Sequence, residues 1–151
     1  EQKKECENIL KLFGTSGADQ GEEDLGPTRV SFADCPLSKN WKEKAYEQHL
    51  PLTEVKPENR INRIKGTAEH PRFTERVPAG AEFDFTVTLK ILEESEEEEL
   101  KILLLEGLKL LQMDALGGNG SRGYGRIEFV FEDEDTKKEF DEINPFSGAT
   151  R

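Results

Sequence analysis

Residues 81–91 alternate without a break. Ala81, Phe83, Phe85, Val87, Leu89 and Ile91 fall on one side, Glu82, Asp84, Thr86, Thr88 and Lys90 on the other. Period two over that length predicts a strand with one buried face and excludes a helix. A leucine-rich stretch of helical period follows almost at once. Over residues 97–115, Leu100, Leu103, Leu104, Leu108, Leu110 and Leu111 share one arc with Gly107, which would let the helix approach a sheet closely. Ile102, Leu105 and Met113 fall on the opposite arc among Lys101, Lys109 and Gln112, a second apolar face that predicts a neighbouring element or subunit. The acidic run 93–99 before and in its first turn complements the helix dipole and reads as a solvated helix start. Residues 116–125 form a glycine-dense loop, and residues 126–132 predict a second strand with Ile127, Phe129 and Phe131 inward.

The earlier half is less regular. Cys6, Ile9, Leu10 and Phe13 lie at helical spacing within residues 2–13, and Gly14 is the stop. Residues 15–27 read as a mobile loop. Residues 28–34 alternate, with Val30 and Phe32 on one face, and Pro36 ends that strand. From 37 to 80 periodicity fails. Pro51, Pro57, Pro71, Pro78 and scattered charges predict an irregular insertion or an extended hairpin with little regular structure. The order is helix, strand, insertion, strand, helix, strand. One strand ahead of Glu1 completes βαββαβ, an α+β chain on the ferredoxin-like plan of two helices on an antiparallel sheet. Phe83, Phe85, Val87, Ile127, Phe129, Val30 and Phe32 are then expected to line one sheet face under the leucine helix. Residues 1–135 make up that domain, and residues 136–151 an acidic tail with a short helix near 136–143.

The chain has 151 residues, 34% hydrophobic and 35% charged, which is polar but sufficient for one core. No apolar run approaches the ~18 residues that span a bilayer. There is no basic-then-apolar leader, and Cys6 and Cys35 are too few for a disulfide scaffold, so a cytoplasmic protein is expected. The sequence opens at Glu1, inside a predicted helix, and reads as part of a longer chain.

A net charge of −11 ordinarily argues against nucleic acid, but its distribution reverses that conclusion. The runs 93–99 and 128–142 together carry −12, so the remainder sums to +1. Within that remainder Arg60, Arg63, Lys65, Arg72 and Arg76 outnumber Glu69 and Glu75. Lys56, Asn59, Arg60, Arg63 and Arg76 therefore form one candidate surface for phosphates and sugar hydroxyls. The glycine loop is the other. Gly118, Asn119, Gly120, Ser121, Arg122 and Tyr124 combine positive-φ backbone, close-approaching N–H donors and one cation. The loop lacks the lysine of a nucleotide-binding P-loop and follows a helix instead of opening one. His49 and His70 have no ligand partners at metal-binding spacing, and Asp34 beside Cys35 has no histidine to complete a nucleophile pair, so both sets read as structural. No metal-binding set is expected.

The stretches TEVKPENRINRIKGTAEHPRFTERVPAGAEFDF and GLKLLQMDALGGNGSRGYG resemble the RAMP superfamily of CRISPR effector proteins, closest to the repeated backbone subunit of type III-A (Csm) complexes. The resemblance runs from Leu12 to about Phe131. It implies a modified, RRM-like ferredoxin fold with an inserted thumb hairpin, here within 37–80, and copies stacked as a filament along guide and target RNA beside other Csm subunits. By the same resemblance, residues 57–78 are the thumb and residues 117–125 contact the guide backbone. The family also cleaves target RNA with a divalent metal (Mg) and an aspartate of its N-terminal region. That region and a glycine-rich guide-binding segment are expected ahead of Glu1, so no catalytic residue is assigned in this sequence. A guide-precursor-processing RAMP nuclease and a protein-interaction domain without an RNA role are the alternatives. The first of these usually needs a histidine base near the glycine loop, which has none.

Overall fold

The computed structural model describes residues 2–15 and 25–147. Most of the predicted 15–27 loop, the first residue and the last four therefore lie outside the described residues. The chain divides into two compact units, Glu1–Phe32 with Val87–Arg151, and Ala33–Thr86. Helices and small antiparallel sheets make it an α+β protein.

In the first unit α1 (Gln2–Phe13) ends where predicted, with Gly14 at φ +87° and its N–H bonded to Leu10 O at 2.7 Å. The buried residue of this helix is Leu12, at 0% exposure, while the expected stripe of Cys6, Ile9, Leu10 and Phe13 is open. Polar contacts fix the helix instead. Lys4 Nζ lies 2.5 Å from Glu99, Asn8 Nδ2 donates to Glu99 at 3.2 Å, and Lys11 Nζ lies 3.9 Å from Glu96.

The acidic run is thus not simply a solvated helix start. Residues 94–96 form a single 3₁₀ turn ahead of α3 (Glu97–Met113), and Glu96 is buried. Its carboxylate accepts from the buried Arg29 Nε at 3.2 Å and from Leu92 N–H at 3.1 Å. Arg29 Nη1 in turn donates to Leu25 O and Pro27 O, both at 2.6 Å. Burial alone pushes the Glu96 pKa up. The hydrogen bonds from Arg29 and Leu92, with the charges of Arg29 and Lys11, outweigh it and hold the carboxyl below its ordinary value.

Strand β1 (Val30–Phe32) pairs antiparallel with Val87–Leu89, in the register Val30↔Leu89, Ser31↔Thr88, Phe32↔Val87. The burial alternation predicted for 81–91 holds at Val87, Leu89 and Ile91, but Phe32, Phe83 and Phe85 are exposed. Residues 126–131 keep Ile127, Phe129 and Phe131 half-buried, and they belong to neither of the two-stranded sheets. Gln112 Oε1 accepts the Phe129 N–H at 2.7 Å and ties this segment to α3. A two-stranded ladder is too narrow to cover the expected ring face.

One hydrophobic cluster of this unit lies along the second half of α3. Leu105 and Leu108 pack with Phe140, which is 2% exposed, and with Phe129, Phe131 and Ile143. Phe140 belongs to a helix over Glu134–Glu142, capped by Asp133, which accepts from Thr136 N at 2.7 Å. Lys109 Nζ sits 4.5 Å over the Phe140 ring and donates to Phe140 O at 3.1 Å. Leu105, expected on the opposite arc from the main stripe, is buried, and Leu110 is exposed. The acidic segment beyond 133 supplies the partner that decides which arc of α3 is covered.

The second unit departs most from expectation. Residues 37–80 are regular for much of their length. Helix α2 (Lys39–Glu47) starts at Ser38, whose Oγ accepts Trp41 N–H at 3.1 Å, and buries Trp41 and Ala45. Ser followed by apolar residues at i, i+4 is a helix signal. The scattered lysines of this stretch obscured it, because they occupy the exposed face. The expected extended hairpin is present: β2 (Glu54–Asn62) pairs antiparallel with β3 (Thr67–Arg76). The strand Val87–Leu89 of the first unit is β4.

Candidate nucleic-acid interface

The two sets of candidate residues lie in different units, the glycine loop in the first and the β2–β3 ribbon in the second. In the loop, Leu116 N–H bonds Gly125 O at 2.8 Å and closes the segment on itself. Inside that clasp Gly117, Gly123 and Gly125 have φ of +81°, +79° and +69°, and Asn119 has +61°. Gly125 admits no side chain, since a Cβ there would stand 2.0 Å from Leu116 O. Gly120–Arg122 make one 3₁₀ turn, held by Arg122 N–H to Asn119 O at 2.9 Å and Gly123 N–H to Gly120 O at 2.9 Å. Gly118, Asn119, Gly120, Ser121 and Arg122 are exposed. Arg122 Nη1 reaches Asn119 Oδ1 at 3.5 Å. Tyr124 is only 7% exposed, so its ring anchors the loop and is not presented for stacking. The loop offers one cation and a tightly turned, exposed backbone to a ligand.

The ribbon has two chemically different faces. Opposite residues share a face, and the register sets Glu54 against Arg76, Lys56 against Thr74, Glu58 against Arg72 and Arg60 against Glu69. Lys56, Arg60 and Arg76 thus share one side with Arg72 and three glutamates. The other side carries Val55, Pro57, Asn59, Ile61 and Phe73, with Pro57 directly opposite Phe73. That side is open: Phe73 is 75% exposed. Between the pairs 58↔72 and 60↔69 β3 gains one residue, a bulge. His70 lies in this bulge at φ +54°. At the turn Asn62 Oδ1 accepts from Ile64 N at 3.0 Å and Lys65 N at 3.1 Å, and Gly66 N bonds Asn62 O at 2.7 Å. This turn projects Arg63 and Lys65 around Ile64, which is 98% exposed.

The ribbon cations are not electrically equivalent. Arg76 is hydrogen-bonded through Nε to Glu54, and Lys56 Nζ lies 3.9 Å from Glu58. Glu69, opposite Arg60, takes the Asn62 Nδ2 donor at 3.1 Å instead. Sequence reasoning counts Lys65 and Asn62 in this polar segment but not the turn that Asn62 holds around Lys65, nor Glu54 as the partner of Arg76. The signal for that turn is the sequence Asn62-Arg-Ile-Lys-Gly66 between two extended stretches.

Among the described residues no group of three or more His, Cys, Asp or Glu side chains is placed to hold a metal ion. No helix among the described residues is long and apolar enough to cross a membrane.

A model of the RAMP superfamily matches residues 1–128. A Streptococcus thermophilus protein named CRISPR system Cms endoribonuclease Csm3 is 49% identical over 124 residues, which cover 80% of this chain and 53% of that protein. The protein of the same name from Methanocaldococcus jannaschii is 40% identical over 153 residues, covering 92% of this chain and 58% of its own length. Its Mycobacterium tuberculosis counterpart is 36% identical over 135 residues, covering 81% and 54% respectively. The chain thus spans little more than half the length of these relatives.

Proposed function

The chain belongs to the RAMP superfamily, and from that premise we propose that it is the larger part of a guide-RNA-binding backbone subunit of a type III-A CRISPR interference complex. The observation that carries this reading is the 36–49% identity to relatives named as endoribonucleases of that system. In the proposed assembly, copies of the whole protein stack along guide and target RNA beside other Csm subunits in the cytoplasm. The glycine loop lays Gly118, Asn119, Gly120, Ser121 and Arg122 against the guide backbone, with Tyr124 holding the loop in shape. The β2–β3 ribbon is the thumb, and Lys56, Asn59, Arg60, Arg63 and Arg76 supply its polar contacts. Backbone N–H donors and a few cations hold phosphates without reading bases, so any guide sequence is accepted.

The fold follows the ferredoxin-like plan with one further strand. Residues 126–131 support this, with Ile127, Phe129 and Phe131 half-buried and Arg126, Glu128 and Val130 exposed in alternation. The open apolar side chains Ile9, Leu10, Phe13 and Phe32 of the same unit support it as well. Target cleavage, and the divalent metal it uses, are assigned to the whole protein, of whose relatives this chain spans little more than half the length. The test is filter binding of generic single-stranded RNA to the full-length protein. Retention at low salt supports the reading, and no retention at any salt concentration overturns it.

A further inference from the structure

Resting on the RNA reading of the ribbon, we infer that its phosphate contacts are concentrated at the distal turn, on Arg60, Arg63 and Lys65. Glu54 and Glu58 act as internal counter-ions that mute Arg76 and Lys56 at its base. Three observations carry this. The base cations already have carboxylates. Glu54 faces Arg76 in the strand register and accepts its Nε, and Glu58, on the same face as Lys56, lies 3.9 Å from its Nζ. A phosphate binding there must displace a partner that is covalently part of the ribbon, so the net gain of charge neutralisation is small.

The turn cations are placed differently. Arg60, Arg63 and Lys65 make no ion pair among the described residues. The one carboxylate opposite Arg60, Glu69, is engaged by Asn62. Asn62 also fixes the turn itself, because its Oδ1 accepts the N–H groups of Ile64 and Lys65. The backbone that carries Arg63 and Lys65 is therefore set before any ligand arrives, and less ordering entropy is lost on binding.

Glu54 and Asn62 are positioning residues, the first quenching a cation and the second presenting two. Ribbon and ligand then meet through the tip, although the cations of the sequence are spread along both strands. Such a distribution keeps the base of the ribbon nearly neutral while the tip carries the polyanion affinity.

The test measures oligouridylate binding by the full-length protein across about 50–200 mM salt, where each phosphate neutralised on a single strand contributes roughly −0.7 to the log–log slope. Replacing Arg63 and Lys65 together by alanine is expected to flatten the slope by about 1.4. Arg63→Lys combined with Lys65→Ala should flatten the slope by only about 0.7, half the double-alanine loss, since charge and not fork geometry is what counts. Glu54→Gln is expected to tighten binding and steepen the slope by up to about 0.7, as Arg76 is released to the ligand. Arg76→Ala should flatten it by less than half the effect of Arg63→Ala. Unchanged circular dichroism in each variant ties these results to the side chains. A slope that ignores the turn pair but falls fully with Arg76→Ala, or a Glu54→Gln protein that binds no tighter, overturns the partition while leaving RNA binding intact. An unsubstituted protein that ignores oligouridylate overturns the RNA reading, and this inference falls with it.

Discussion

Gly125 has a φ of +69°, and Leu116 O stands 2.0 Å from where a Cβ would be, so only hydrogen fits there. Gly118, in the same loop, has open space around it and no positive φ. The two glycines therefore make a controlled comparison. Gly125→Ala should cost about 1–3 kcal/mol or more through strain and loss of the Leu116 clasp, read as a lowered melting temperature. Gly118→Ala should stay within about 0.5 kcal/mol. Equal effects at the two positions would show that the loop is not clasped in this way. Glu96 offers a second residue-level test. Replacing it by alanine leaves the buried Arg29 guanidinium without its carboxylate, at a cost of about 3 kcal/mol. The pair also sets a pH dependence. Because the folded carboxyl titrates below its ordinary value of 4.5, its stabilisation is fully present above that value and is lost as pH falls through the lower folded value. Acid denaturation of the unsubstituted chain should therefore steepen below about pH 4.5, and Glu96→Gln should remove that component.

Among the elements, α1, α3 and the helix over 134–142 were legible in the sequence, the ribbon only as one of two alternatives for a stretch expected to hold little regular structure, and their partnerships were not. Period 3.6 marks a helix over 97–115, but both of its arcs are apolar. Only the position of Phe140 decides that Leu105 is buried and Leu110 open. In α1 the apolar stripe was readable, yet the side that packs carries Leu12 with Lys4, Asn8 and Lys11, because the acidic start of α3 supplies ionic partners. Helix α2 was missed, since nine residues with three lysines mask the Trp41–Ala45 spacing. The candidate residues form two runs in the sequence, one cationic and one glycine-rich. Cross-strand register, which single-sequence periodicity does not contain, assigns each strand charge its face and its cross-strand neighbour. Two substitutions test the packing at this scale. Phe140→Ala should cost about 3–5 kcal/mol, because its ring meets Phe131 at 4.9 Å and Phe129 at 6.1 Å; a loss below about 1 kcal/mol in a denaturant melt would mean that this helix is not core. Ser38→Ala should cost about 1 kcal/mol through the lost cap, seen as a small drop in helical ellipticity on heating.

For the whole molecule, a net charge of −11 coexists with a proposed RNA-binding role because the negative charge resides elsewhere. Part of it is structural: Glu96 and Glu99 hold α1 and Arg29, and Glu139 pairs with Lys101 at 2.6 Å. Stripping the 93–99 run to lower the negative charge should therefore unfold the first unit instead of strengthening RNA binding. What remains for phosphates is a glycine loop with Arg122 in one unit and a ribbon tipped by Arg63 and Lys65 in the other. Both arrangements offer cations and exposed backbone, so affinity should follow backbone charge and not sequence. The most direct measurement compares two single-stranded RNAs of equal length and unrelated sequence, bound by the full-length protein and its Arg122→Ala variant over a salt series. The account predicts that both RNAs bind with the same negative slope, and that Arg122→Ala flattens both slopes alike, by up to about 0.7 per subunit. Binding that discriminates strongly between the two RNAs, or an Arg122→Ala effect confined to one of them, would contradict it.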